Sequence, residues 1–169
     1  MRIIFIGDIV GRSGRDALKE GLPVLRKKYQ PEIIIANAEN AASGYGLTKK
    51  IADELFEQGI DALTLGNHAW DQKEMLSHIE KNPNIIRAIN YPKGVPGKGH
   101  FKIELEDGRS ILIIQAMCRL FMGLLLDDPF AKLSDFLTSE VLGKTSKAIF
   151  IDLHGEATSE KNAFAHHFD

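Results

Sequence analysis

Ile33-Ile34-Ile35-Ala36-Asn37-Ala38-Glu39-Asn40 is an apolar, β-branched run that stops at a carboxylate and an amide. Apolar runs without polar alternation mark strands covered on both faces, as in parallel sheets. Three other stretches end the same way: Ile3-Ile4-Phe5-Ile6-Gly7-Asp8, Ala62-Leu63-Thr64-Leu65-Gly66-Asn67-His68 and Ala148-Ile149-Phe150-Ile151-Asp152-Leu153-His154. Ligands of open α/β sheets sit in the crevice beyond the carboxyl ends of the strands. Read as four neighbouring strands, these runs bring Asp8, Glu39, Asn40, Asn67, His68 and His154 to one crevice.

The segments between the runs support an α/β chain. Asp8 and Glu39 lie 31 residues apart, and Glu39 and Asn67 lie 28 apart, each the length of one βαβ step. A helix is expected over 14–29, with Ala17, Leu18, Leu22 and Leu25 inward and Pro23 kinking it. Thr48 reads as the N-cap of a second helix closing at Gly59, and a third is expected over 73–81. Residues 91–99 read as a loop. Phe101 to Leu105, the Asp107-Gly108 turn and Ser110 to Ile114 read as a β-hairpin. Asp127-Asp128-Pro129-Phe130 opens a helix running to Leu142, with Gly143 closing it. No linker or repeat interrupts the chain, so residues 1–169 read as one domain. The helix-start pattern at Thr158 so near Asp169 reads as a piece of a longer protein.

Composition narrows the function classes. The net charge of −2 argues for neither a nucleic-acid coat nor a membrane surface. No run approaches the ~18 apolar residues of a membrane span. One cysteine excludes an intrachain disulfide and a thiolate metal cage, and Cys118 reads as a small packing residue. A soluble cytoplasmic protein is expected, with Leu120 to Leu126 a buried or partner-facing loop. Gly44-Tyr45-Gly46-Leu47-Thr48-Lys49-Lys50 resembles a P-loop only superficially, because the glycine-to-lysine spacing is wrong. His78 and His100 read as solvated, and His166-His167 as exposed.

The crevice residues point to a metal centre. Two carboxylates at neighbouring strand ends repel, so their burial demands a proton or a cation. No lysine or arginine immediately follows the second, third or fourth run. Mixed oxygen and nitrogen ligands without sulfur suit manganese, iron or zinc. Glu39, on the central run, is placed to bridge two ions, with Asp8 and Asn40 on one side and Asn67 and His154 on the other. Two ions about 3.5–4 Å apart activate a hydroxide and clamp a phosphoryl group. His68, beside Asn67, is placed to protonate the leaving oxygen. Each residue also has a plainer reading: Asp8 as a turn cap, Glu39-Asn40 as loop polarity, His154 as a core histidine. Arg119 reads as a substrate-phosphate contact or as surface charge.

Five segments carry a resemblance: Gly7-Asp8-Ile9-Val10-Gly11, Asn37-Ala38-Glu39-Asn40-Ala41-Ala42, Gly66-Asn67-His68-Ala69-Trp70-Asp71, Leu126-Asp127-Asp128-Pro129-Phe130, and Ile151 to Lys161. In this order they resemble the YmdB-like family of calcineurin-type metallophosphoesterases. The resemblance implies an α/β/β/α sandwich and a 2′,3′-cyclic-nucleotide 2′-phosphodiesterase with two divalent ions, iron or manganese foremost. It implies Asp8, Glu39, Asn40, Asn67 and His154 as ligands, His68 as proton donor, and a homo-oligomer acting on cyclic nucleotides or RNA 2′,3′-cyclic phosphate ends. The family continues into a Gly-Thr-His-Thr-His segment with two further ligands, so the sandwich is expected to be incomplete here, with metal affinity lowered and the activity of this piece in doubt. Gly155 replaces a common alanine, a change read as harmless. The alternative is a non-catalytic nucleotide- or RNA-binding regulator on the same fold.

Overall fold

A computed structural model describes all residues from Met1 to Asp169. The chain divides into two compact units, Met1–Ile85 and Ile86–Asp169.

The first unit carries β1 (Ile3–Ile6), α1 (Gly11–Tyr29), β2 (Ile33–Asn37), α2 (Lys49–Glu57), β3 (Ala62–Thr64) and α3 (Met75–His78). A 3₁₀ turn over Ile79–Lys81 and the short β4 (Ile85–Ile86) follow. The sheet order is β1-β2-β3-β4, and β1, β2 and β3 pair in parallel, with Ile4 opposite Ile34 and Ala36 opposite Leu63. Every residue of β2 is buried, whereas β1 is only half-covered, because it has a sheet neighbour on one side alone. The core joins Ile34, Ala36 and Leu63 of the sheet to Leu18, Leu22, Ala52, Leu55 and Met75 of the helices.

Local sequence explains the helices. The hydroxyl of Thr48 accepts from Ile51 N (3.2 Å) and starts α2, as an N-cap should. Leu55 is buried, with Ile51 and Phe56 packed against the core. Pro23 does not split the first helix, which runs unbroken from Gly11 to Tyr29. Pro23 lies on the exposed side, where water can serve the carbonyl it leaves without a donor. Ala17 also faces solvent, against the expected inward stripe.

The second unit carries β5 (His100–Glu104), β6 (Ser110–Met117), α4 (Pro129–Leu137), β7 (Ala148–His154) and α5 (Thr158–Phe168). The hairpin forms as read, with His100 opposite Ile114 and Glu104 opposite Ser110. Asp128 caps α4 by accepting from Phe130 N (2.8 Å), with Pro129 at the first turn, where a proline loses no needed bond. The fourth apolar run does not join the first three. β7 pairs in parallel with β6 over seven positions, from Ile111–Ala148 to Met117–His154. The neighbours of β2 are already β1 and β3, and β6 offers a largely apolar partner of matching length. Leu112, Ile114 and Ala116 pack against Leu133 and Phe164, ringed by Phe130, Phe136 and Phe168. The chain is therefore mixed α/β with a parallel sheet. No helix is long and apolar enough to cross a membrane.

Candidate metal centre

The carboxyl ends of β1, β2 and β3 are laced together by backbone bonds past the last strand residues. Ile9 N donates to Asn37 O (3.1 Å), and Ala38 N to Thr64 O (3.0 Å). The lacing gathers the polar residues that follow. Asn40 Nδ2 donates to both carboxylate oxygens of Asp8, at 3.0 Å each. Gly11 N donates to Asn40 O (2.8 Å), fixing the residue at its backbone too.

Glu39 is almost wholly buried, at 2 % exposure. Its carboxylate lies in the space a side chain at Gly66 would occupy: a Cβ there would stand 2.2 Å from Oε2 and 2.5 Å from Cδ. Gly66 is thus required for the absence of its side chain. His68 N also donates to Glu39 Oε2 (3.2 Å). The glycine and the histidine of Gly66-Asn67-His68 therefore shape one carboxylate site, with half-buried Asn67 between them.

His68 Nδ1 lies 2.7 Å from Asp71 Oδ2. A carboxylate on Nδ1 fixes the tautomer and aims Nε2 outward. The sequence reading did not single out Asp71. Its signal was the i, i+3 spacing within the turn after β3. Tyr45 was missed as well. Its ring stands perpendicular to that of His68, with centroids 5.4 Å apart.

Asp8, Glu39, Asn40 and Asn67 offer oxygen donors that fit a hard or borderline divalent cation. The cradle at Gly66 favours this fit, since a carboxylate taken from water needs a compensating charge or bonds. Asn40 would first have to turn its amide, presenting oxygen where its nitrogen now faces Asp8. No group of three or more His, Cys, Asp or Glu side chains is gathered to hold an ion; in the first unit the set is two acids and two amides.

His154 and Arg119 belong to the second unit. His154 ends β7, and its carbonyl accepts from Cys118 N (2.7 Å). Cys118 is buried, and burial, reinforced by the Glu160 carboxylate, pushes its thiol up to about 11. Gly155, read as a harmless replacement for alanine, is the residue that fits beside Cys118 in this chain. A Cβ on Gly155 would lie 2.4 Å from Cys118 Cβ and 2.7 Å from Sγ, so the thiol fills the volume the glycine leaves. Arg119 is exposed beside Leu120, Asp127, Asp128 and Glu160, around a depression of about 660 Å³. Its backbone N–H donates to Glu160 Oε1 (2.9 Å). His78, read as solvated, is buried, with Asn82 Nδ2 donating to its carbonyl (2.8 Å). His100, also read as solvated, is half-buried against the Phe136 ring, at 4.6 Å between centroids. His166 and His167 are exposed on α5, as read.

Comparison with known proteins matches this arrangement to one family. The model of the YmdB-like proteins matches residues 4–169. A 2′,3′-cyclic-nucleotide 2′-phosphodiesterase of Bacillus subtilis (strain 168) is 48 % identical over all of this chain and 62 % of its own length. The crystal structure of a hypothetical protein from Thermus thermophilus superposes with a TM-score of 0.90 at 43 % identity, covering all of this chain and 64 % of that one. The crystal structure of a Mycoplasma pneumoniae phosphatase superposes with a TM-score of 0.91 at 31 % identity, covering all of this chain and 60 % of that one. The chain thus spans about three fifths of the length of these relatives. A family match running almost end to end means that the chain belongs to the YmdB-like family.

Proposed function

We propose that this chain carries the site of a metal-dependent phosphodiesterase that hydrolyses 2′,3′-cyclic nucleotides. The observation that carries the reading is the Glu39 carboxylate, buried against Gly66 and bonded by His68 N, with Asp8 and Asn40 paired past the same strand ends. The name of the Bacillus subtilis relative supports the substrate class. Asp8, Glu39, Asn40 and Asn67 of the first unit would hold divalent ions, with manganese or iron as first choices and zinc as a third. When bound, such ions supply a water of lowered pKa and neutralise charge on the phosphoryl oxygens.

The protein's own part lies in holding and aiming. Glu39 is fixed by the glycine cradle and cannot drift. Asp71 holds Nδ1 of His68, so Nε2 faces the leaving oxygen and delivers its proton as the P–O bond breaks. Arg119 is the weaker candidate for a phosphate contact, because Asp127, Asp128 and Glu160 share its surroundings. The reading extends to one domain over residues 1–169, supported by the unbroken family match. It extends also to a homo-oligomer, supported by Phe121 and Leu125, which stand 85 % and 98 % exposed.

The test is hydrolysis of 2′,3′-cyclic AMP with manganese or iron. Chelator is expected to abolish turnover, and His68→Ala to lower kcat about 10²- to 10⁴-fold. Turnover indifferent to chelator, Asn67→Ala and His68→Ala would overturn the reading. Nucleotide binding without turnover that survives His68→Ala would instead support a binding-only regulator.

A further inference from the structure

The loop after β2 does more than carry Asn40 into the site. Over residues 40–47 it folds into a tight knot of bonds: Gly44 N to Asn40 O (3.0 Å), Tyr45 N to Ala42 O (3.0 Å) and Ala42 N to Gly46 O (2.9 Å). Ser43, Gly44 and Gly46 take φ of +57°, +89° and +79°. The two glycines take that conformation freely, whereas Ser43, a non-glycine, persists there only where surroundings over-determine it. Those surroundings are present. Arg15 Nη1 donates to Ala41 O, and Gln72 Nε2 donates to Tyr45 O (2.7 Å). A Cβ on Gly46 would meet Gln72 Cγ at 2.9 Å and His68 O at 3.2 Å, so the loop presses directly on the His68–Gln72 segment.

This rigid loop holds out one aromatic side chain. Tyr45 is 62 % exposed, and its ring contacts that of His68 at right angles, 5.4 Å between centroids. Single exposed aromatics are common and need no function. Tyr45 differs in three respects: its backbone is fixed on both sides, its neighbour is the proposed proton donor, and the exposed ring adds nothing to the core. A nucleotide sets its base one sugar away from its phosphate. A phosphate at Nε2 of His68 therefore places a base within reach of Tyr45.

We propose that Tyr45 is a stacking platform for the substrate's nucleobase, giving the site its preference for nucleotides over other phosphodiesters. The inference rests on the phosphodiesterase reading above and deepens it. A π-face recognises any base, so the platform selects nucleotides as a class without choosing among them.

The experiment compares 3′-AMP with ribose 3-phosphate, which lacks the base, by calorimetric binding with and without manganese. It compares hydrolysis of 2′,3′-cyclic AMP with that of ribose 2,3-cyclic phosphate in parallel. Tyr45→Ala is expected to shrink the preference for the base-bearing compound roughly 5- to 100-fold, while Tyr45→Phe keeps it. An unchanged preference in Tyr45→Ala, a loss in Tyr45→Phe equal to that in Tyr45→Ala, or no binding of 3′-AMP would overturn the platform. A shifted binding preference with no hydrolysis of either cyclic compound would uphold the platform and reject the phosphodiesterase activity.

Discussion

Gly66 and Gly155 stand at matching places, each just past the carboxyl end of a strand, and each has its missing side-chain volume filled by a neighbour. At Gly66 the neighbour is the Glu39 carboxylate; at Gly155 it is the Cys118 thiol. A buried carboxylate is costly unless bonded or paired, whereas a buried thiol behaves as a small hydrophobe. The first unit therefore keeps a buried carboxylate, bonded by His68 N, at the place where chemistry is proposed. The second carries no such charge there and gains ordinary packing beside His154. The same contact geometry serves function in one place and density in the other.

The sharpest way to break this comparison is Gly66→Ala. The new Cβ meets Oε1, Oε2 and Cδ of Glu39 together, so the carboxylate must leave its cradle. A loss of about 3 kcal/mol, the upper range for overpacking, is expected in urea unfolding, with loss of any metal affinity. A loss below ~1 kcal/mol, the lower end of that range, would mean that Glu39 swings away freely. Gly155→Ala comes next. It should cost about 1–3 kcal/mol alone and little in a Cys118→Gly background, where the volume is returned. A double-mutant cycle should give a coupling of roughly 1–2 kcal/mol; additive effects would dissolve the pairing.

A smaller effect is expected at Gln115, which sharpens the contrast in buried polarity. Its side chain is fully buried, and neither polar atom has a partner. Gln115→Met should be neutral or stabilising by up to about 1 kcal/mol, because an unpaired buried amide costs more than an apolar isostere. A clear destabilisation would assign that amide a hidden partner. The smallest effect concerns pH. Burial, with help from the Lys98 charge, holds the His100 imidazolium below its ordinary 6.5. The unfolded chain then binds the proton more readily, so stability rises with pH through that window and falls as pH drops below about 6.5. Thermal midpoints between about pH 7.5 and 5, which bracket the histidine range, should decline less steeply in His100→Phe; identical slopes would remove His100 as a contributor.

Much of the fold was legible because the signals were local. Thr48 caps, Asp128-Pro129 starts, and Asp107-Gly108 turns by rules that need no tertiary knowledge. Apolar runs likewise reveal strands, but not which strand sits beside which. For that reason β7 was expected next to the first three strands and pairs instead with the hairpin. Pro23 did not split its helix, and sequence does not say whether a lost helix bond faces water. Asp8, Glu39, Asn40, Asn67 and His68 were singled out by their common position at strand ends, and the structure sets Asn40 against Asp8 and His68 N against Glu39. Asp71 and Tyr45 were missed because their roles depend on contacts with His68, one across a turn and one across 23 residues. The penalty of a side chain at Gly155 depends likewise on Cys118, 37 residues away, and no inspection of either residue alone reveals it.

One modest contact carries a consequence for motion. Glu160, in the first turn of α5, accepts from Arg119 N and Leu120 N, both at 2.9 Å. α5 itself buries only Phe164. A helix held by Phe164 and Phe168 at one end of the core should open more readily than the fully paired β6. Each opening would take the carboxylate with it and release the start of the Leu120–Leu126 segment. Amides at 119–120 and along α5 should therefore exchange with deuterium at one shared rate, as a single latch.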